Sequence, residues 1–233
     1  MRPYLTHYFS CGEEAAIWLF GKDLAQKAII LKNAIDIRRY RYDAQIRELK
    51  RKELGLDAHS LTLCHIGRFD KVKNHQFIIK VMAQIIKKCP NTQLLLIGDG
   101  ELRQQTEQQT KDYGLENHVK FLGVRPDVNE LLQAADALVF PSLFEGLPMT
   151  LVEAQCSGLP CVISENIPHE VAFTDLVEQL PLETGAEKWS EQLLQATTKH
   201  HERETYAQRV SDAGYDIQTN AKWLENFYLQ CQH

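Results

Sequence analysis

Leu61-Thr62-Leu63-Cys64-His65-Ile66-Gly67 is followed from Asn74 by a stretch in which Phe77, Ile78, Val81, Met82 and Ile85 recur at helical spacing. The first run, mostly aliphatic and closed by a glycine, reads as a strand covered on both faces. The second reads as an amphipathic helix over 74–88. Together they are half of a βαβ unit, and the pattern repeats toward the C-terminus. Apolar runs at 93–97, 119–122, 136–140 and 159–163 end at Gly98, Gly123, Pro141 and Ser164. Helices are expected after the first two, to about Tyr113 and from Asp127, and at Met149–Cys156 between the last two. A weaker strand at 176–180 precedes a helix over 187–199. Such alternation predicts an α/β fold, a doubly wound parallel sheet of Rossmann-like form. Ligands of such sheets lie beyond the carboxyl ends of the strands, so the chemistry is sought in those loops.

Composition narrows the field. The chain has 233 residues, 44% of them hydrophobic, with 26 Lys plus Arg against 31 Asp plus Glu for a net charge of -5. That length buries a sufficient core without disulfides or metals. Cysteines at 11, 64, 89, 156, 161 and 231 lack the two-residue gap of a zinc knuckle or redox pair and read as reduced thiols. No stretch approaches the roughly 20 apolar residues of a membrane helix. His7, Cys11, Glu13 and Glu14 interrupt any signal-peptide core. Residues 1–52 hold 11 basic and 6 acidic side chains, focused at Arg38-Arg39-Tyr40-Arg41-Tyr42 and Lys50-Arg51-Lys52. This run reads as a solvated face rather than a nucleic-acid patch.

Three loops carry candidate chemistry. In Gly67-Arg68-Phe69-Asp70-Lys71-Val72-Lys73-Asn74, Arg68 and Lys73 can reach one anion above the strand end, a fork and a point charge suited to a diphosphate. Gly98-Asp99-Gly100-Glu101-Leu102-Arg103 has an arginine where a dinucleotide fingerprint needs its third glycine. No Gly-x4-Gly-Lys-Ser/Thr loop occurs, so NAD and classical NTPase readings lose their support, and Asp99 is read as a helix cap. In Pro141-Ser142-Leu143-Phe144-Glu145-Gly146-Leu147-Pro148-Met149-Thr150-Leu151-Val152-Glu153, seven residues separate two acids. Gly146 is read as permitting unusual backbone angles, and 146–149 opens a helix whose free N–H groups suit phosphate or sugar oxygens. Glu145 and Glu153 can then accept hydrogen bonds from different hydroxyls of one long ligand.

In this order and spacing the segments resemble glycosyltransferase family 4, enzymes of the two-domain GT-B fold. Gly67-Arg68 with Lys73-Asn74 is similar to that family's diphosphate loop. Phe121-Leu122-Gly123-Val124-Arg125-Pro126-Asp127-Val128 is similar to its nucleobase loop, where backbone around Gly123 and Val124 meets the base. Glu145 to Glu153 matches its Glu-x7-Glu motif. The resemblance implies that Arg68, Lys73 and Glu145 are the catalytic set and that the two cations neutralise the diphosphate. Gly67, Gly146, Leu147, Met149, Thr150 and Leu151 would line the nucleotide-sugar, with amides near Thr150 and Leu151 adding to the cations. Glu153 would bind the ribose hydroxyls and Glu145 those of the transferred sugar. It further implies a UDP-sugar, retention at the anomeric carbon, no metal or other cofactor, and a saccharide or lipid-linked acceptor in polysaccharide biosynthesis. The absence of any Asp-x-Asp pair agrees with metal independence.

By the same resemblance, residues 1–40 are a strand-helix-strand remnant of the acceptor-side domain and its linker, with Asn33-Ala34-Ile35-Asp36 where the family usually has Asn-Gly-Ile-Asp. Residues 41–210 are the nucleotide-sugar domain. Residues 211–233, with Trp223, Leu224, Phe227 and Tyr228 on one face, resemble the helix that returns to the acceptor side; the alternative is a terminal helix docked on its own sheet. His169 and Glu170 fall in a loop at the ligand-facing edge. The chain is expected in the cytoplasm, at the inner face of the membrane, self-associating through residues 1–37, and binding nucleotide-sugar without turnover by itself. Two other readings stand beside this one: a non-catalytic nucleotide-sugar binding module, and a GT-B-fold nucleotide-sugar epimerase, which the intact acidic motif favours less.

Overall fold

Each aliphatic run forms a strand and each periodic stretch a helix in a computed structural model, which describes residues 6–199 and 202–231. In chain order the elements are β1 (Phe9–Ser10), α1 (Glu13–Phe20), α2 (Lys22–Ala25), β2 (Ile29–Ile30), α3 (Ile37–Tyr40), α4 (Ala44–Glu53) and β3 (Leu61–Ile66). There follow α5 (His75–Lys88), β4 (Thr92–Ile97), α6 (Arg103–Asp112), β5 (Val119–Gly123), α7 (Val128–Ala134), β6 (Ala137–Phe140) and α8 (Met149–Cys156). The chain closes through β7 (Cys161–Ser164), β8 (Val177–Leu180), α9 (Gly185–Thr198), α10 (Tyr206–Asp212) and α11 (Ile217–Gln230). The sheet runs β5-β4-β3-β6-β7-β8 with every neighbouring pair parallel. Counted from β3, this is the doubly wound Rossmann order, and its direction reverses between β3 and β6.

Alternation along the strands divides the core. Leu94 and Leu96 face a cluster with Ile78, Ile79, Met82, Trp189 and Leu193; Leu95 and Ile97 face Leu131, Leu138, Phe140 and Leu151. All are essentially sealed from solvent, each contributing on the order of 1.5 to 3 kcal/mol. No helix among the described residues is long and apolar enough to cross a membrane.

β1 and β2 form a separate two-stranded parallel sheet. α11 lies against it: Phe227 meets Phe9 edge-on at 5.1 Å, Trp223 meets it at 6.2 Å, and Asn220 Nδ2 donates to Lys32 O. The aromatic stripe of the last helix therefore covers the N-terminal unit and not the six-stranded sheet. Residues 1–5 and 232–233, the outer ends of the two expected segments, lie outside the described residues.

Two expectations are corrected. Lys50 and Arg51 do not lie on a solvated face. α7 ends with carbonyls that its own helix cannot satisfy, and Arg47 donates to those of Gln133, Ala134 and Ala135, while Arg51 donates to Ala134 O, Asp57 O and Ser60 O. Asp136 pairs with Arg47 at 2.5 Å and accepts the Thr62 amide at 2.7 Å. Lys50 reaches Glu53, Asp127 and Glu130 within 2.8 Å. Buried cations persist because their N–H groups meet oxygens. Arg38, Arg39, Arg41 and Lys52 do stay exposed. Nor does Asp99 cap α6: it accepts from Gly100 N, and Phe69 O takes the Leu102 amide at the helix start. Gly98 has φ of 132°, and a Cβ there would lie 2.1 Å from Gly67 O, so this glycine lets one strand-end loop pass over the other.

Candidate functional site

The loops after β3, β4, β5, β6 and β7 gather at one edge of the sheet, flanking the reversal of strand order. Lys73 and Glu145 meet there. Lys73 Nζ lies 2.5 Å from Glu145 Oε1 and 4.8 Å above the Phe140 ring. Both side chains are mostly buried, at 19% and 13% exposure. Asn74 Nδ2 donates to Pro141 O at 3.2 Å and Leu143 N to Val72 O at 2.8 Å, so the loops after β3 and β6 are tied side by side. Asn74 itself has φ of 56°, the one left-handed non-glycine among the described residues. Arg68 is exposed at the same turn and makes no ion pair among the described residues.

Glu153 stands apart from that pair, on the second turn of α8. Its Oε1 accepts from the Tyr40 hydroxyl at 2.8 Å, and no hydrogen bond to the second oxygen is made among the described residues. Burial raises its carboxyl above the usual carboxylate range, with the Tyr40 bond acting the other way. Burial and the Glu153 carboxylate together raise the Tyr40 phenol. Gly123 has φ of 68° and accepts Gly98 N through its carbonyl; Val124 beyond it is 79% exposed.

Around the β6–α8 loop the expectations change in part. Gly146 adopts no left-handed angle, and a Cβ there would meet nothing within 4 Å. It leaves the surface beside Glu145 open rather than relieving backbone strain. The Leu151 amide is taken by Pro148 O at 3.0 Å and its side chain is buried, whereas the Met149 and Thr150 amides before it have no backbone acceptor among the described residues. Leu147 and Met149 are half-buried and pack their side chains against the core. Gly67 sits against Lys73, whose stem carbons would lie 3.1 Å from a Cβ.

Sequence reasoning passed over Tyr40, His65, His75 and Ser142. His65 and His75 are buried, their rings perpendicular with centroids 4.7 Å apart, and His75 stacks on Phe69 at 3.9 Å. The available signal was polarity out of place: a histidine inside an aliphatic strand run, and a tyrosine within a basic cluster.

The sequence profile described as "Glycosyl transferases group 1" matches residues 46–213. The chain belongs to that family. The EpsF protein of Bacillus subtilis (strain 168) is 36% identical over 227 residues, covering 96% of this chain and 59% of that protein. The UDP-Gal:alpha-D-GlcNAc-diphosphoundecaprenol alpha-1,3-galactosyltransferase of Escherichia coli is 33% identical over 141 residues, covering 59% of this chain and 36% of that enzyme. This group 1 chain thus spans just under three-fifths of EpsF. Anabaena Alr3699/HepE, solved in complex with UDP, shares the fold with a TM-score of 0.79 at 22% identity, over 98% of this chain and 65% of that one.

Proposed function

We propose that this chain is the nucleotide-sugar-binding part of a retaining glycosyltransferase that moves a sugar from UDP to a saccharide or lipid-linked acceptor in polysaccharide biosynthesis. The observation that carries the reading is the Lys73–Glu145 pair at the carboxyl edge of the sheet, with Arg68 exposed beside it. HepE has also been solved with UDP-glucose, and the E. coli relative is named for UDP-Gal. Both support the choice of UDP.

The chemistry follows from that pair. When the glycosidic bond breaks, charge grows on the leaving diphosphate, and fixed cations stabilise it most where water is excluded. Lys73 exchanges Glu145 for a phosphate oxygen, and Arg68 adds a forked donor, so no metal is required. Glu145, released, accepts hydrogen bonds from the transferred sugar. The free oxygen of Glu153 takes a ribose hydroxyl, and backbone near Gly123 and Val124 faces the base. The protein acts in the cytoplasm, with the acceptor held by a wall facing this edge. Residues 6–40 are proposed to belong to that acceptor side, so these 233 residues bind UDP-sugar and turn over only with that wall supplied.

The test is calorimetric titration with UDP and UDP-glucose in the presence of a chelator. Binding is expected without divalent metal. Lys73→Ala should weaken it about tenfold or more, since a charge-assisted hydrogen bond is worth roughly 1.5 to 3 kcal/mol. Unchanged affinity in that variant overturns the phosphate assignment.

A further inference from the structure

The reversal point of the sheet holds a buried polar side chain that the mechanism above does not use. β3 and β6 pair only at Leu63↔Ala137 and Cys64↔Leu138. Beyond those pairs the main-chain ladder stops, and the His65 side chain takes over, its Nδ1 lying 2.9 Å from Val139 O. A carbonyl only accepts, so Nδ1 carries the ring proton. His65 is fully buried, and burial together with the nearby His75 and Lys73 holds its pKa well below the usual histidine value. The ring is therefore neutral, and Nε2 is a bare lone pair.

That lone pair has no partner among the described residues. Nε2 faces Gly67: a Cβ there would lie 3.0 Å from it and 3.1 Å from the stem of Lys73. Both nitrogens of His75 and the hydroxyl of Ser142 are likewise buried without partners. The three residues border the tied loops that carry Lys73 and Glu145. Leaving a buried polar atom unpaired is costly, and four such atoms at the ligand edge of a doubly wound sheet point to something that completes them.

We propose that His65 Nε2 is a ligand-contacting acceptor of this site, receiving a hydrogen bond from an O–H group that arrives with the nucleotide-sugar between Gly67 and the Lys73 stem. The inference rests on the UDP-sugar reading. Room appears when Lys73 leaves Glu145 for the diphosphate. The O–H group belongs to the transferred sugar or to a water fixed by the diphosphate.

Two measurements on the intact chain test this. First, 15N-histidine-labelled protein is titrated with UDP and with UDP-glucose while calorimetry records binding. The resonance of His65 Nε2 is expected to move as its lone pair becomes engaged. Movement with UDP-glucose alone identifies a sugar hydroxyl; movement with both identifies the bound water. Binding that leaves this resonance in place overturns the inference alone, whereas failure of both ligands to bind overturns it together with the UDP-sugar reading. Second, His65→Asn keeps an N–H for Val139 O and removes the acceptor, so UDP-glucose affinity should fall about three- to tenfold. His65→Gln places an amide oxygen near Nε2 and should bind within about twofold of the native chain. Equal affinity in the asparagine variant and the native chain contradicts the proposal, and the resonance measurement needs no variant to fold.

Discussion

Glu145 and Glu153 are the same side-chain type eight positions apart, yet their surroundings hold them differently. Glu145 is neutralised by Lys73, whereas Glu153 is held by a neutral phenol and raised by burial. Glu153→Gln is expected to weaken UDP itself, while Glu145→Gln should spare UDP and weaken intact UDP-glucose. Calorimetry on the two variants checks the division, and equal loss of UDP in both contradicts it. His75 makes a prediction about acid. Burial, with Lys73 adding to it, lowers its pKa to about 4. The unfolded chain binds that proton near the ordinary value of about 6.5, so it holds more protons than the fold between those values. The histidine's contribution to stability is complete above about pH 6.5 and is lost as pH falls toward 4. Denaturant midpoints measured across that window should fall less steeply in His75→Gln than in the native chain.

Among the elements, α4 is held by charge more than by apolar contact. Lys50 and Arg51, at 6% and 7% exposure, are its buried residues, and their partners sit on α7, its flanking loops and β3. Arg51→Met keeps a stem of similar reach but takes the donor from Ser60 O and Thr62 Oγ1, whereas Ala134 O keeps Arg47 and Asp57 O keeps Ser60. With each orphaned buried group costing about 1 to 3 kcal/mol, the variant should lose roughly 2 kcal/mol or more in urea melts. A surface arginine would give almost nothing in the same measurement.

Over the whole molecule, the N-terminal unit is the least enclosed part. Ile17, Trp18, Leu19 and Ile30 are exposed, Trp18 by 85%, and a 480 Å³ groove lies between Glu13, Ile17, Lys22, Gln26 and Ile30. Exposed apolar area of this kind is expected to drive self-association. Light scattering should report a concentration-dependent oligomer that Trp18→Ser with Leu19→Ser disperses; a native chain that stays monomeric at high concentration contradicts this. UDP should also raise the melting temperature, because a ligand at 100 times its Kd adds about 2.7 kcal/mol to the fold that binds it.

Strand positions, the helices between them, the loops that bear Arg68, Lys73 and Glu145 and the helix that bears Glu153 were legible along the chain, because period and punctuation are local properties. A strand covered on both faces has to be an aliphatic run, and the loop after it has to carry whatever chemistry there is. The burial of Lys50 and Arg51 was not legible, since it depends on where α7 exposes its terminal carbonyls, some 80 residues away. The same holds for Tyr40 reaching Glu153 across 113 positions and for His65 closing the gap between β3 and β6. Charge and polarity look alike in a sequence whether they meet water or a partner, and long-range packing decides which.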